Sequence, residues 1–295
     1  MTDAQLMTLP DGRTLAWAWY GDPSGRPAFF LHGTPGGRLS GAAYADFFER
    51  NRLHVACPDR PGYGGSSSRP PEPHRPVSGG GLMHFSADLH ELWERIRPAE
   101  DARALVIAGS GGAPYGLAFA AGYPQDVDAV GVFSGIAPME PDEAETLIDV
   151  NRRLHTAANH LAASTVTAGG KLPVSGDALE GLVADVRRAI LSGELIGEPD
   201  AAIRDALVPG ADGMVVDYSS VFARNWGFDP GDVQADVRWV HGTQDVNAPL
   251  SAARRYAGLI PNCEFHPVDG GGHRPSSATL DWLFAELQGS ARPDR

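Results

Sequence analysis

Residues 105–120 read LVIAGSGGAPYGLAFA and join an apolar run, a turn of small residues and a second apolar run. The first run predicts a buried strand and the second a helix, because the glycines between them allow a sharp change of direction. Ser110 lies at the apex of that turn. A serine on a strained strand-to-helix turn needs small residues two positions before and after it, and Ala108 and Gly112 meet this requirement. The window therefore predicts an α/β fold with a serine presented at the end of a strand.

Apolar runs and amphipathic stretches alternate on both sides of this window. Residues 5–20 are typical of an antiparallel hairpin that turns at Pro10-Asp11-Gly12. Further strands are predicted at 28–31, 53–56, 104–108, 129–133, 237–240 and 264–268, and helices at 42–50, 82–96, 144–163, 179–191 and 277–287. Strands that alternate with helices predict a mostly parallel sheet that helices cover on both faces.

The alternation breaks between residues 137 and 226, where helical periodicity is present but no convincing strand. Helices inserted between two strands of such a sheet would lie over the strand ends. We therefore predict an α/β core formed by residues 1–136 and 227–295, with a helical cap, or lid, formed by residues 137–226.

An aromatic cluster stands where the predicted cap returns to the core. Its members are Tyr218, Phe222, Trp226 and Phe228. These rings would either pack the cap against the core or form the apolar wall of a pocket. The candidates for a substrate-binding wall are Tyr218, Phe222 and Trp226.

Composition narrows the classes of partner. The chain has 295 residues, 42% of them hydrophobic, and its 24 Lys and Arg against 37 Asp and Glu give a net charge of −13. Such a balance argues against binding nucleic acid or anionic lipid. The N-terminus has no basic region followed by an apolar core, and no apolar run reaches the roughly 18 residues of a membrane span. Cys57 and Cys263 are far apart and fit neither a disulfide framework nor a multi-cysteine metal site. We expect a cytoplasmic monomer or homodimer.

A serine hydroxyl is a weak nucleophile at neutral pH, so Ser110 would need a base to accept its proton. The loop after the predicted strand at 264–268 reads DGGGHRP and presents His273 on glycines that let the backbone bend. The loop after the strand at 237–240 reads HGTQDVNAP and presents Asp245. Serine, acid and histidine thus follow one another in an order known from hydrolytic triads. We predict that His273 accepts the Ser110 proton and that Asp245 orients the imidazole and stabilises its charged form.

Other acids and histidines compete for these roles. The rival carboxylates are Asp269, Asp229, Glu140 and Asp142. Asp269 is too near His273 in sequence to orient it easily. The strand at 129–133 continues into Ser134-Gly135-Ile136 without a carboxylate in the first positions. Two other histidines stand beside predicted strand ends and are interpreted as structural, namely His32 and His241.

The negative charge that develops on a reacting carbonyl oxygen would need backbone donors. One predicted donor is the N–H of Gly111, at the start of the helix that follows the serine, where the helix dipole is favourable. The other would come from the loop after the strand at 28–31, which reads HGTPGG. By position we assign it to the Thr34 N–H, with Gly33 as the alternative.

The chain resembles the α/β-hydrolase superfamily along nearly its whole length. Five motifs carry the resemblance in order: HGTPGG at 32–37, DRPGYGGSS at 59–67, AGSGG at 108–112, HGTQD at 241–245 and GGGH at 270–273. It implies an eight-stranded, mostly parallel sheet flanked by helices, an inserted helical cap, and hydrolysis without a metal or an organic cofactor.

Single motifs carry finer implications. DRPGYGGSS resembles the superfamily's D-x-x-G-x-G-x-S turn, in which Asp59, Arg60, Gly62 and Ser66 would shape the site wall without taking part in bond making. HGTPGG is similar to the HGGPG of proline iminopeptidases, except at Thr34, and their GGSWGS motif has no counterpart here. Epoxide hydrolases and haloalkane dehalogenases share the fold but use an aspartate nucleophile, and Ser110 sets the chain apart from both.

Three functions remain open from the sequence. The first is a serine hydrolase that cleaves an ester, lactone, thioester or amide of a small, largely apolar substrate through an acyl-Ser110 intermediate. The second is a cofactor-free lyase or carbon–carbon bond hydrolase with the same triad, which would call for a positive group, and Lys171 is the only lysine. The third is a receptor-like protein that binds a ligand and keeps only vestigial turnover.

Overall fold

Eight strands form one sheet within the residues that the structure, a computed structural model, describes, namely 4–69, 80–167, 176–222 and 225–289. The strands are β1 (Gln5–Thr8), β2 (Thr14–Gly21), β3 (Arg26–Leu31), β4 (Leu53–Pro58), β5 (Ala104–Gly109), β6 (Val127–Phe133), β7 (Asp236–Gly242) and β8 (Cys263–Val268). They lie in the order β1-β2-β4-β3-β5-β6-β7-β8. The pairs β1-β2 and β2-β4 are antiparallel and the others are parallel. The predicted eight-stranded, mostly parallel sheet is confirmed.

Helices fill most of the connections between these strands. They are α1 (Ala45–Arg50), α2 (Gly80–Ile96), α3 (Ala113–Gly122), α4 (Pro141–Ala144), α5 (Asp149–Thr167), α6 (Gly176–Leu191), α7 (Ala201–Ala206), α8 (Asp212–Val221), α9 (Leu250–Ala257) and α10 (Ser277–Gly289). Among the described residues, every helix is too short or too polar to cross a bilayer.

Two predicted helix starts are wrong. The segment predicted as one helix at 42–50 is a 3₁₀ helix over Arg38–Tyr44 followed by α1, a common arrangement at the start of an α-helix. The helix predicted from residue 144 begins at Asp149, because the short α4 ends first at Ala144. There Glu143 forms an ion pair with Arg255 at 2.7 Å, which ties this turn to α9.

The central strands of the sheet are buried on both faces. One face packs against α2 and α3, with Leu82, Phe85, Trp93 and Phe119 in its core. The other packs against α1 and α10, with Phe47, Phe48, Leu283 and Phe284 in its core. The central strand β5 is buried along its whole length, as an apolar run without alternation predicts.

The helices α4 to α8 all lie between β6 and β7, in the segment predicted as a cap. Two arginines join the later part of this segment to loops that leave the carboxyl ends of β3 and β4. Arg38 bonds Asp59 at 2.8 Å and Asp205 of α7 at 2.7 Å. Arg60 bonds Asp217 of α8 at 2.5 Å. These ion pairs hold α7 and α8 beside the edge of the sheet where the predicted site residues gather.

Candidate active site

Ser110 occupies a strained turn between β5 and α3. Its φ of +52° lies in the left-handed region that residues other than glycine rarely adopt. The chain approaches itself closely on both sides of the serine. A side chain at Gly109 would overlap the Phe133 ring, and a Cβ at Gly112 would lie 2.7 Å from the His32 carbonyl oxygen and closer still to that of Leu31. Of the two small residues predicted, Gly112 is therefore required by the end of β3, and Gly109 is in addition required by β6.

Replacing Gly112 by alanine is expected to lower the free energy of unfolding by about 3 kcal/mol, because its Cβ would overlap backbone oxygens that no side-chain rotation can move. The matched control is Gly181→Ala in α6, where nothing lies within 4 Å of the added carbon. That variant should gain about 0.5–1 kcal/mol, since glycine is a poor helix former. Urea unfolding of both variants checks the pair, and equal stabilities would contradict the close approach.

The structure brings Ser110, His273 and Asp245 into one chain of hydrogen bonds. His273 Nε2 lies 3.0 Å from Ser110 Oγ. On the other side of the ring, His273 Nδ1 lies 2.8 Å from Asp245 Oδ2 and 3.0 Å from Oδ1. The Asp245 carboxylate is completely buried, whereas a quarter of the His273 side chain is exposed. The imidazole therefore bridges a hydroxyl and a carboxylate at distances that allow proton transfer.

Hydrogen bonds stabilise the Asp245 carboxylate in its charged form. Burial alone would raise its pKa, but hydrogen bonds from His273 and from the backbone N–H groups of Asn247 and Ala248 outweigh burial and hold the pKa below its ordinary value. The two N–H groups donate to Oδ1 at 2.8 and 3.0 Å. Because Oδ1 is engaged in this way, Oδ2 is the oxygen that faces the imidazole most closely.

Two of the rival acids, Asp269 and Asp229, contact other groups. Asp269 is exposed, and its Oδ1 lies 3.4 Å from the Thr243 hydroxyl. Asp229 accepts the Gly231 N–H at 2.8 Å and so caps a short 3₁₀ turn. His241 is buried, with Nε2 bonded to the Ala248 carbonyl at 2.8 Å and 3.5 Å from Asp245 Oδ2. None of these contacts involves the Ser110 hydroxyl or the His273 ring.

The two segments predicted to supply oxyanion donors touch each other. A Cβ at Gly111 would overlap Thr34 Oγ1 and lie 3.3 Å from the Thr34 nitrogen. A Cβ at Gly33 would lie 3.3 Å from Ser110 Cβ and 3.7 Å from Ser110 Oγ. Thr34 therefore lies against Gly111, and Gly33 lies beside the serine hydroxyl. Their function as donors stays a prediction.

A buried polar cluster beside this loop was not predicted. Its centre is Asp217 of α8, which is 1% exposed. Asp217 Oδ2 accepts the hydroxyls of Thr34 at 2.7 Å and Tyr63 at 2.9 Å. Asp217 Oδ1 accepts the Tyr115 hydroxyl at 2.7 Å and Arg60 Nε at 3.0 Å. For Asp217 itself, the signal in the sequence was a carboxylate directly after the apolar residues MVV.

The cluster behaves as an ion pair with neutral phenols around it. Burial of Arg60 opposes its charge, but the adjacent Asp217 outweighs burial and raises the pKa of the guanidinium above its usual value. Burial, with Asp217 beside them, raises the pKa of Tyr63 and of Tyr115 well above the ordinary range. The phenols therefore stay protonated and donate to the carboxylate.

The three aromatic candidates for a pocket wall are all buried. Tyr218 and Phe222 stack on each other along α8 with ring centres 5.6 Å apart. Trp226 packs against Tyr256 of α9, with ring centres 4.7 Å apart, and donates its indole N–H to the Val221 carbonyl. The contact between Trp226 and Tyr256 joins the inserted segment to the core, and binding of substrate by the three rings stays a prediction.

One group of side chains has the ligand types of a metal site. His90, Glu94 and Asp126 place one ligand atom each within 4.8 Å of one another. Their polar atoms already serve other contacts, since His90 Nδ1 bonds Asp126 at 2.6 Å and Glu94 bonds Arg97 at 2.7 Å. The described residues therefore explain this group by a hydrogen bond between His90 of α2 and the buried Asp126, which precedes β6, and by an ion pair at the end of α2.

His32 predicts a pH dependence of stability. Burial, followed by the charge of Arg60, lowers its pKa well below the ordinary 6.5, so the folded protein holds the ring neutral. The unfolded chain takes up a proton below about pH 6.5, whereas the folded chain does not. As the pH is lowered, the free energy of unfolding should therefore decrease by up to about 1.4 kcal/mol per pH unit for this group. His32→Asn keeps a donor toward Gly33 and should flatten the slope between about pH 7 and pH 5 in urea unfolding. An unchanged slope would contradict the buried neutral ring.

Fold and site together define an α/β protein with a serine on a strand-to-helix turn, next to a histidine–aspartate pair. A family model described as alpha/beta hydrolase fold matches residues 27–275. The chain therefore belongs to the α/β-hydrolase family, as the motifs predicted, and the prediction that it is an α/β-hydrolase enzyme is confirmed at this level.

The chain is also similar to individual proteins, at about one third sequence identity or less. The chain is 32% identical to a probable proline iminopeptidase of Streptomyces coelicolor over 135 residues, which cover 46% of this chain and only 40% of that one. It is 27% identical to a proline iminopeptidase of Arabidopsis thaliana over 313 residues, which cover 95% of this chain and 77% of that one. An epoxide hydrolase from Vigna radiata has a similar structure, with a TM-score of 0.66, 18% identity and coverage of 98% and 97%.

Proposed function

We propose that the protein is a serine hydrolase that cleaves an ester, lactone, thioester or amide of a small, largely apolar substrate. One observation carries the proposal: His273 lies 3.0 Å from the Ser110 hydroxyl and 2.8 Å from a buried, charged Asp245. A base positioned in this way accelerates proton transfer by roughly 100-fold to 10,000-fold.

The proposed reaction has two halves. In the first, His273 Nε2 takes the Ser110 proton while Oγ attacks the carbonyl carbon, and the carbonyl oxygen gains the negative charge. The N–H groups of Thr34 and Gly111 stabilise that oxygen. His273 then gives its proton to the leaving group, which departs and leaves an acyl-Ser110 ester. In the second half, water repeats the sequence with the acyl group, and Ser110 is restored.

The inserted helices would act as a lid in this proposal. Residues 137–226 form the cap and 1–136 with 227–295 the core, and Tyr218, Phe222 and Trp226 contribute apolar surface to the pocket. The proposed partner is a small molecule alone, handled by a cytoplasmic monomer or homodimer without a cofactor.

A second candidate is release of an N-terminal proline from a peptide. The names of the Streptomyces and Arabidopsis relatives favour it. Such a substrate carries an amino cation that needs a carboxylate, and Asp217, the buried carboxylate bonded to Thr34, is already neutralised by Arg60. The charge pattern at this point of the site therefore favours a neutral substrate. For the hypothesis of a lyase or carbon–carbon bond hydrolase, the positive group named from the sequence was Lys171, which lies outside the described residues.

The test combines labelling with a substrate panel. A fluorophosphonate should add once to the wild type, as read by intact-protein mass, and should not add to Ser110→Ala. The panel contains 4-nitrophenyl acetate and butyrate, a γ-lactone, an acyl thioester and proline 4-nitroanilide. Turnover of the first four without the anilide supports the first candidate, whereas preference for proline 4-nitroanilide supports the second. A folded wild type that neither labels nor turns over any member overturns the proposal in favour of a ligand-binding protein.

A further inference from the structure

The carbonyl group of Gly33 is held by two donors. Arg60 Nη2 donates to it at 2.9 Å, and His32 Nδ1 lies 2.8 Å from it. Nδ1 faces a carbonyl oxygen, which can only accept, so Nδ1 carries a proton and donates. Arg60 Nη1 also donates to the His32 carbonyl at 2.5 Å. One guanidinium therefore fixes the direction of two successive carbonyl groups.

Fixing the Gly33 carbonyl also fixes the Thr34 N–H. The Gly33–Thr34 peptide is trans, so its C=O and N–H point in opposite directions. With the carbonyl turned toward Arg60, the N–H is turned away from Arg60. The Thr34 nitrogen lies beside Gly111, and within the described part of the chain its N–H donates to no other residue. A flipped peptide would instead place a carbonyl oxygen where the oxyanion develops.

Asp217 bonds both the Arg60 guanidinium and the Thr34 side chain. It bonds the Arg60 guanidinium through both carboxylate oxygens and accepts the Thr34 hydroxyl at 2.7 Å. Arg60 Nη2 in turn lies 3.1 Å from Thr34 Oγ1. The carboxylate belongs to α8, so a residue of the inserted helices governs a backbone group of the core.

We propose that Arg60 and Asp217 are positioning residues that lock the Gly33–Thr34 peptide with its N–H toward the reacting carbonyl oxygen. The inference rests on the proposed function, because a donor matters only if an oxyanion forms at Ser110. According to this inference, the oxyanion site is complete only when α8 contacts the loop at 32–34. Neither residue touches the substrate, and both act through the Thr34 backbone.

Thr34 gives the cleanest variants. Thr34→Val keeps the volume and the backbone N–H but loses the hydroxyl that Asp217 and Arg60 hold, whereas Thr34→Ser keeps that hydroxyl. We expect Thr34→Val to lower kcat on 4-nitrophenyl acetate by about 10-fold to 100-fold, part of what a lost oxyanion donor costs, with KM within about twofold. Thr34→Ser should stay within about threefold of the wild type in kcat. Asp217→Asn, which removes the charge that holds Arg60, should resemble Thr34→Val.

An alkyl trifluoromethyl ketone provides the second readout. Ser110 Oγ adds to its carbonyl carbon, His273 takes the hydroxyl proton, and the resulting alkoxide occupies the oxyanion site. Its inhibition constant should therefore rise by the same factor as kcat/KM falls. Loss of stability alone would change the fraction of folded enzyme and leave KM and the inhibition constant of that fraction unchanged.

Asp88→Asn is the matched control, because Asp88 pairs with Arg13 in a largely buried ion pair that does not include the loop at 32–34. It should leave kcat and the inhibition constant within about twofold, whatever its effect on stability. A fluorophosphonate-reactive wild type whose folded Thr34→Val and Asp217→Asn variants keep kcat and the inhibition constant would overturn the inference alone. A wild type that neither labels nor binds the ketone would overturn the proposed function, and the inference with it.

Discussion

Replacing Ser110 by alanine is expected to lower kcat on any substrate of the wild type by about 10⁶-fold, the loss seen when a triad nucleophile is removed. The reason is geometric. No other atom takes the place of Oγ, which lies 3.0 Å from His273 Nε2 on a turn with φ of +52°. The remaining donors can still bind a substrate carbonyl, so KM should change much less than kcat. Steady-state kinetics at saturating substrate measure the effect.

Ser134→Ala is the matched control for this variant. Ser134 also follows the carboxyl end of a central strand, is buried and has a positive φ of +48°. Its loss should leave kcat within about threefold and cost a similar amount of stability. Comparable losses in the two variants would contradict a nucleophile at residue 110 and point to general damage at this edge of the sheet.

The fold could be predicted because its strands are buried in a regular way. Strands β5 and β6 pair on both sides, so residues 104–109 and 129–133 are uninterrupted apolar runs that stand out from the helices. The bounds of the helices were harder to predict than the strands. The 3₁₀ helix over Arg38–Tyr44 could not be distinguished from the start of α1, because Gly41 lies close to the Tyr20 ring of β2, a contact that the local sequence does not reveal.

The geometry at Ser110 could also be predicted from sequence. The serine, Asp245 and His273 follow β5, β7 and β8, and parallel strands bring their carboxyl ends to one edge of a sheet. Asp245 and Asp269 both stand between Ser110 and His273 in the chain, and Asp245 was preferred because Asp269 is too near His273 in sequence to orient it easily.

The cluster around Asp217 needed information that the chain order does not carry. Arg60 and Asp217 are 157 residues apart, and their contact depends on how α8 lies on the loops after β3 and β4. Periodicity predicts that a helix exists but not which helix face meets which loop. Arg60 was therefore assigned to the site wall through its motif, while its two bonds to backbone carbonyls and its partner in α8 were missed.

Replacing Asp245 by asparagine is expected to lower kcat by about 10⁴-fold with little change in fold. The N–H groups of Asn247 and Ala248 both point at the Oδ1 position, so the amide oxygen of asparagine would settle there. The amide nitrogen would then occupy the Oδ2 position, 2.8 Å from His273 Nδ1. Two donors cannot face each other, so the ring proton moves to Nε2. In that tautomer Nε2 has no lone pair for the Ser110 proton, and fluorophosphonate labelling should slow together with kcat.

The exposed Asp269 supplies the comparison that separates this mechanism from a general loss of charge. Asp269→Asn removes one negative charge from the loop that carries His273, yet its carboxylate contacts the Thr243 hydroxyl and not the imidazole. It should therefore retain kcat within about twofold, since only a charge near solvent is lost. If both variants lost activity equally, the field of the loop rather than the tautomer of His273 would limit the reaction. If Asp245→Asn alone kept wild-type kcat, the orienting function of Asp245 would be refuted, because the backbone donors leave the amide no other way to face the ring.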